Sequence, residues 1–260
     1  MAESWTAPDA VAEDRAEIRH IGFDALGTAL RRGWADFMAT PTQLIFLCIL
    51  YPAIGLVAAT LAAGREVMHL FYPMAAGFAL VGPIAALGLY EISRRRERGL
   101  PASWLNVFDV LRSPAIGAIV ALASVLVVVF LAWLWAADAI FAATLGRLPP
   151  GTDLWVALTA TAEGWRMVWL GNFVGFVFAA AVLVLTALSF PMLLDRGGGV
   201  ARAVATSARA FAVNPLPMAG WGLIVAALLL LGSLPLFMGL AVVLPVLGHA
   251  TWHLYRLVVR

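Results

Sequence analysis

The chain has no lysine, a single cysteine, four histidines and few charged residues of any kind, and each shortage excludes something. Charged residues make up 12% of it, against about a quarter in soluble globular domains, so the polar surface is too small to coat the fold in water. Without lysine there is no G-x-x-x-x-G-K-[ST] phosphate loop, and the glycines of Asp195-Arg196-Gly197-Gly198-Gly199 read as a flexible turn. Cys48, alone, makes neither an intramolecular disulfide nor a multi-thiolate metal site. No G-x-S-x-G, H-E-x-x-H or C-x-x-C occurs, so hydrolase, zinc-protease and thiol-redox readings lack their residues. Four histidines are also too few for a haem-copper oxidase. The first forty residues carry no early apolar core, so no cleavable signal peptide is expected.

What fills the chain is apolar: 63% hydrophobic residues and a mean hydropathy of +0.93. A hydrocarbon core of about 30 Å needs roughly 20 helical residues. Stretches near 43–63, 70–91, 114–137, 170–193, 216–233 and 235–256 qualify, the last two split at Gly232-Ser233-Leu234-Pro235. The expected fold class is all-α, a polytopic transmembrane bundle of six helices. Residues 1–20 are expected to form a flexible cytoplasmic tail ahead of a transmembrane domain over 21–260.

With the N-terminus inside, the inner segments hold fourteen of the seventeen arginines, and only Arg65, Arg147 and Arg166 fall outside. That positive-inside bias puts both termini in the cytoplasm, and it accounts for the basic balance without nucleic acid. Trp133, Trp135 and the Trp165/Trp169 pair are expected at the outer headgroups, where Asp153 caps a short helix, and Trp34, Trp104 and Trp252 at the inner ones.

Before the first span, Phe23, Leu26, Leu30, Trp34 and Phe37 recur at helical steps, with Asp24, Thr28, Arg31, Arg32 and Asp36 on the other side. This predicts an amphipathic helix lying on the membrane surface. Similar openings, each closed by proline, are WADFMATP (34–41), VFDVLRSP (107–114) and ARAFAVNP (208–215). Proline is tolerated in a first helical turn and bends the chain into the membrane. Three tandem hairpin repeats are therefore expected, about 21–100, 101–198 and 199–260.

This repeat, the polar leader and the second opening resemble the domain of unknown function 2189 family. The resemblance implies a multi-pass inner-membrane protein of proteobacteria, and it brings no activity, cofactor or catalytic residue.

Candidate sites are sparse. His249 and His253 share one helix face at a spacing that suits a metal, and they are weak candidates for one; two polar side chains near the headgroups is the plainer reading. Arg94, Arg95, Arg96 and Arg98 form a juxtamembrane patch suited to anionic lipid headgroups. Gly171, Asn172 and Gly175 make a small-residue helix-packing face. Glu91 and Asp138 are near enough to an interface to reach water, and Glu91, with Arg94 and Arg95 within one turn, is expected in a solvated ion pair, a proton-relay site being the alternative. No cofactor and no catalytic residue is expected. A non-enzymatic scaffold or accessory subunit of a membrane complex is the preferred reading, with other membrane subunits as possible partners. A transporter or channel for a small solute is the alternative, and lipid chemistry on Glu91, His249 and His253 ranks last.

Overall fold

The computed structural model describes residues 16–40, 69–146, 153–235 and 237–260, and among them the fold is all helical, with one isolated β-bridge. The elements are α1 (Phe23–Ala39), α2 (Phe71–Ala85), α3 (Leu87–Glu97), a 3-10 segment (Trp104–Arg112), α4 (Ile116–Thr144), α5 (Leu154–Ala160), α6 (Ala162–Thr186), α7 (Ser189–Arg196), α8 (Val200–Val213), α9 (Pro215–Ser233) and α10 (Leu240–Val258). The expected first span, 43–63, with Cys48 in it, lies outside the described residues.

Among the described residues three helices are long and apolar enough to cross a membrane: α4, α6 running on into α7, and α9. Their apolar windows are only 17–33% buried within the protein. Phe173, Phe176, Leu223 and Leu230 stand exposed on them, as acyl-facing side chains must. The expected crossing near 70–91 is two helices, α2 and α3, meeting at Ala86 just after Pro83. Proline at 83 lacks the backbone donor that would continue the ladder. The expected crossing near 235–256 is α10, largely buried and with Pro245 inside it.

Local signals explain several helix ends. The Asp153 carboxylate accepts from the Trp155 and Val156 amides at 2.8 and 3.0 Å, starting α5. Pro215 is the first residue of α9, where a missing amide costs nothing. Gly197 and Gly198 take φ of 68° and 86°, which lets the chain leave α7 and start α8 within three residues.

Packing departs from the sequence expectations in three places. First, α1 packs into the helical body by a face rich in small residues. It buries Ala25, Leu26, Ala29, Gly33, Asp36 and Phe37, and leaves Phe23, Trp34 and Met38 exposed. Gly33 abuts the backbone of Ala250, and a Cβ there would lie 2.6 Å from the Ala250 nitrogen. Asp36, expected on the polar side, is therefore in the core. Second, Trp133 and Trp252 are not belt residues. Both are buried, Trp133 Nε1 donating to the Pro73 carbonyl at 2.8 Å and Trp252 Nε1 to Glu97 at 3.0 Å. A buried indole N–H needs a hydrogen-bond partner, and each of these has one.

Third, the leader is held from residue 16 onward. Ile18 bridges Val259, Arg19 N donates to the Val258 carbonyl and Arg260 N to that of Glu17. Asn214, buried at the α8–α9 corner, clasps the same segment: its Oδ1 accepts from Ile21 N and its Nδ2 donates to the Arg19 carbonyl, both at 2.9 Å. Residues 16–20 thus belong to the folded body, because their backbone groups find partners on residues 258–260. Asn214→Ala removes two of these bonds, about 1–2 kcal/mol locally. Limited proteolysis between residues 16 and 22 is expected to run roughly fivefold to thirtyfold faster in that variant. Equal cleavage rates would mean that the C-terminal pairing alone holds the leader.

Candidate functional site

Polar side chains concentrate where α3 ends. Five consecutive residues, Arg94 to Arg98, each reach another part of the chain. Arg94 Nη1 donates to the Leu194 carbonyl of α7 at 3.0 Å, and its Nη2 lies 2.6 Å from Glu91 Oε2. Arg95 pairs with Asp109 of the 3-10 segment at 3.2 Å, Arg96 with Asp36 of α1 at 2.8 Å, and Arg98 with Asp195 of α7 at 3.3 Å. Glu97 accepts from Trp252 and Arg256 of α10, both at 3.0 Å. Asp195 also takes the Tyr255 hydroxyl at 2.9 Å and Arg256 at 3.1 Å. A helical end carrying Arg-Arg-Arg-Glu-Arg fans its side chains around the axis, so each meets a different neighbour. The four arginines expected to meet lipid headgroups are each committed to a group of the chain.

Within this end lies a buried chain of hydrogen bonds. Ser93 Oγ donates to Asp36 Oδ2 at 2.6 Å, His253 Nε2 lies 2.8 Å from the same oxygen, and Arg96 Nε serves Oδ1. Burial pushes the Asp36 carboxyl pKa up, but hydrogen bonds from His253, Ser93 and Arg96, and the charge of His253, outweigh it and hold the value at about 2. An ionised carboxylate only accepts, so the Ser93 proton points to Asp36. His249 Nδ1, 2.8 Å from Ser93 Oγ, must then donate to that oxygen. Its Nε2 is left buried beside the Leu89 backbone without a well-formed hydrogen bond.

His249 and His253 do meet, through Ser93 and Asp36, but the resulting group is closed. Ser93 and His249 have no exposed surface. The Ser93 hydroxyl is spent between an acid and an imidazole instead of facing a substrate, which is not the nucleophile–base–acid order of a hydrolase. Among the described residues no group of three His, Cys, Asp or Glu side chains is arranged to hold a metal ion. Glu91 is buried, not solvated, and lines a separate cavity on the other side of α3, so it shares no site with the two histidines.

Residues 71–195 match the family described as "Predicted integral membrane protein (DUF2189)". That stretch belongs to the DUF2189 family. No curated protein and no solved structure matches the chain. The DUF2189 stretch supplies Ser93 and the arginines of α3, whereas Asp36, His249 and His253 come from the flanking α1 and α10. The ionic end therefore ties the matched stretch to helices on both sides of it.

The other sequence candidates sit away from this end. Asn172 of α6 accepts from the Tyr72 hydroxyl of α2 at 2.9 Å, and its Nδ2 donates to the Val168 carbonyl. Gly175 faces the Trp133 ring of α4, where a Cβ would come within 3.0 Å, while Gly171 faces open space. Asp138 binds His69 Nε2 at 2.7 Å, and that ring stacks on Phe141 at 4.1 Å. Asp36, Asn214 and Asp195 are the structural residues that sequence reasoning missed. The only signal for them was position: each stands at or beside a helix end close to an arginine or a proline.

Proposed function

We propose that the protein is a non-enzymatic scaffold or accessory subunit of a bacterial inner-membrane complex. It crosses six times as three tandem hairpins, with both termini in the cytoplasm and the arginine-rich end at the anionic cytoplasmic leaflet. The observation that carries this reading is a division of labour. The polar side chains that resemble chemistry are sealed into a structural network at one end. The long helices, meanwhile, carry exposed apolar rows such as Trp165, Trp169, Phe173 and Phe176 of α6. Such rows suit lipid and neighbouring membrane helices, and they give a polar substrate nothing to bind.

The second and third openings support the hairpin plan, since in both a short amphipathic segment leads through a proline into a long apolar helix. The recurrence of arginine in each inner segment supports the orientation. Extraction of the untagged-partner native membrane directly into lipid nanodiscs, followed by sizing and mass spectrometry, tests the assembly. A reproducible, stoichiometric second subunit is expected. A protein that runs alone, with lipid only, would defeat the scaffold reading, and a C-terminus labelled from outside intact cells would defeat the topology.

A further inference from the structure

A cavity of about 540 Å³ opens between the end of α3, the 3-10 segment, the start of α4 and the end of α7. Its charged lining is Glu91, Arg94, Arg95, Asp109, Arg112, Asp195 and Arg196. Each acid there is already answered. Glu91 has Arg94, Asp109 has Arg95 and the Asn106 amide, and Asp195 has Arg98, Arg256 and the Tyr255 hydroxyl. The surplus is cationic. Arg112 makes no hydrogen bond or ion pair among the described residues. Arg196 donates to the Arg260 carbonyl and stands 3.9 Å from an Asp195 oxygen that two other donors occupy. Arg94 Nε is buried without a partner.

The rim carries a second signal. In a 3-10 helix residues three apart eclipse one another, and Leu105, Phe108 and Leu111 fall on that spacing along Trp104–Arg112. All three are more than half exposed, at 56%, 56% and 68%. Val110 is buried on the inner side of the same segment. An apolar ridge thus ends directly at Arg112, one turn before the chain enters the long apolar helix α4.

The geometry points to this cavity as a binding site for the phosphate headgroup of an acidic phospholipid. Arg112 and Arg196 face the phosphate, and the Leu105–Phe108–Leu111 ridge lies among its acyl chains. The assignment rests on the membrane reading above only in placing the arginine-rich end at a bilayer surface. It moves the headgroup contact from the α3 arginines, which pair with acids of the chain, to Arg112, which has no such pair, and Arg196, whose Asp195 neighbour is taken by two other donors. A free phosphate ion satisfies the arginines equally well but has no use for the ridge.

The test uses the purified full-length protein in phosphatidylcholine nanodiscs doped with phosphatidylglycerol, reading retained lipid by native mass spectrometry. Wild-type protein is expected to retain phosphatidylglycerol selectively. Arg112→Gln and Arg196→Gln are each expected to weaken retention roughly fivefold, as fits one surface arginine. Arg32→Gln, on the exposed face of α1, should leave it unchanged. A Leu105→Ser/Leu111→Ser double variant is expected to lower retention with both arginines in place. Retention that survives Arg112→Gln, or that falls equally with Arg32→Gln, would overturn the site. Displacement of the lipid by millimolar inorganic phosphate would overturn the lipid as its occupant. No partner protein is needed in this assay, so it can fail while the scaffold reading stands, and the reverse.

Discussion

Asp36→Ala is expected to cost about 3 kcal/mol, toward the lower end of what losing one member of a buried ion pair costs. For a chain of this size that lowers the melting temperature in detergent by roughly 6–12 °C. The loss is large because one carboxylate serves three donors at once: Arg96 Nε at 2.8 Å, Ser93 Oγ at 2.6 Å and His253 Nε2 at 2.8 Å. Alanine leaves all three facing a gap, and it frees the Ser93–His249 link as well. Asp36→Asn keeps the shape and one acceptor oxygen but turns a donor toward Ser93 and His253. It is expected to recover less than half of the loss.

The same carboxylate sets an acid limit. Its pKa falls from 3.8 to about 2 on folding. A depressed acid contributes its full stability above the unfolded value, and the contribution disappears as pH drops through the folded one. Wild-type stability should therefore decline between about pH 4 and pH 2, by about 2 kcal/mol from this group, and Asp36→Ala should lack that part of the decline. Melting curves at pH 7, 4 and 3 on both proteins check this. A variant that melts within 2 °C of wild type at pH 7 would show the network to be dispensable.

Gly33→Leu is expected to have the second large effect, because α1 and α10 touch backbone to backbone there. Even a Cβ would sit 2.6 Å from the Ala250 nitrogen and 2.7 Å from its Cα and Cβ, none of which is a flexible side-chain end. The helices must part, and overpacking of this kind costs about 1–3 kcal/mol or more. Asp36 is three residues further along α1, so parting the helices also stretches its contact with His253. Gly27→Ala on the same helix is the internal control. A Cβ at 27 meets only Arg31 Nη1 at 3.9 Å, and better helix propensity should stabilise by about 0.5–1 kcal/mol. Equal melting temperatures for Gly33→Leu and wild type would mean that the two helices do not approach this closely in the membrane.

These two positions also mark where the amino-acid pattern misleads. In α1 the large apolar side chains recur at helical steps, and that period points to a buried face. The face that the protein buries keeps Leu26 and Phe37 but is turned toward Ala25, Ala29, Gly33 and Asp36, while Phe23, Trp34 and Met38 look outward. Lipid is as apolar as leucine, so large side chains gain little by leaving it. Close helix approach selects small residues, and a polar group beside them must find partners across the interface. The same reasoning covers Trp133 and Trp252, whose indoles look like headgroup anchors by position and are core residues by contact.

The amino-acid order alone determined the membrane class, the all-helical fold, the Asp153 cap, the proline at the start of α9 and the gathering of arginine at one set of helix ends. These depend on runs, periods and neighbours a few residues apart, where covalent geometry and the cost of burying charge leave few alternatives. Only the tertiary structure decided which acids Arg95, Arg96 and Arg98 of α3 answer, that the two histidines close on Asp36 through Ser93, and that the leader is clasped by Asn214. Those pairings join residues up to 217 positions apart, His253 with Asp36 being the farthest in the network. No local signal carries them, because a buried donor finds its acceptor through the packing of whole helices and not through the spacing of letters.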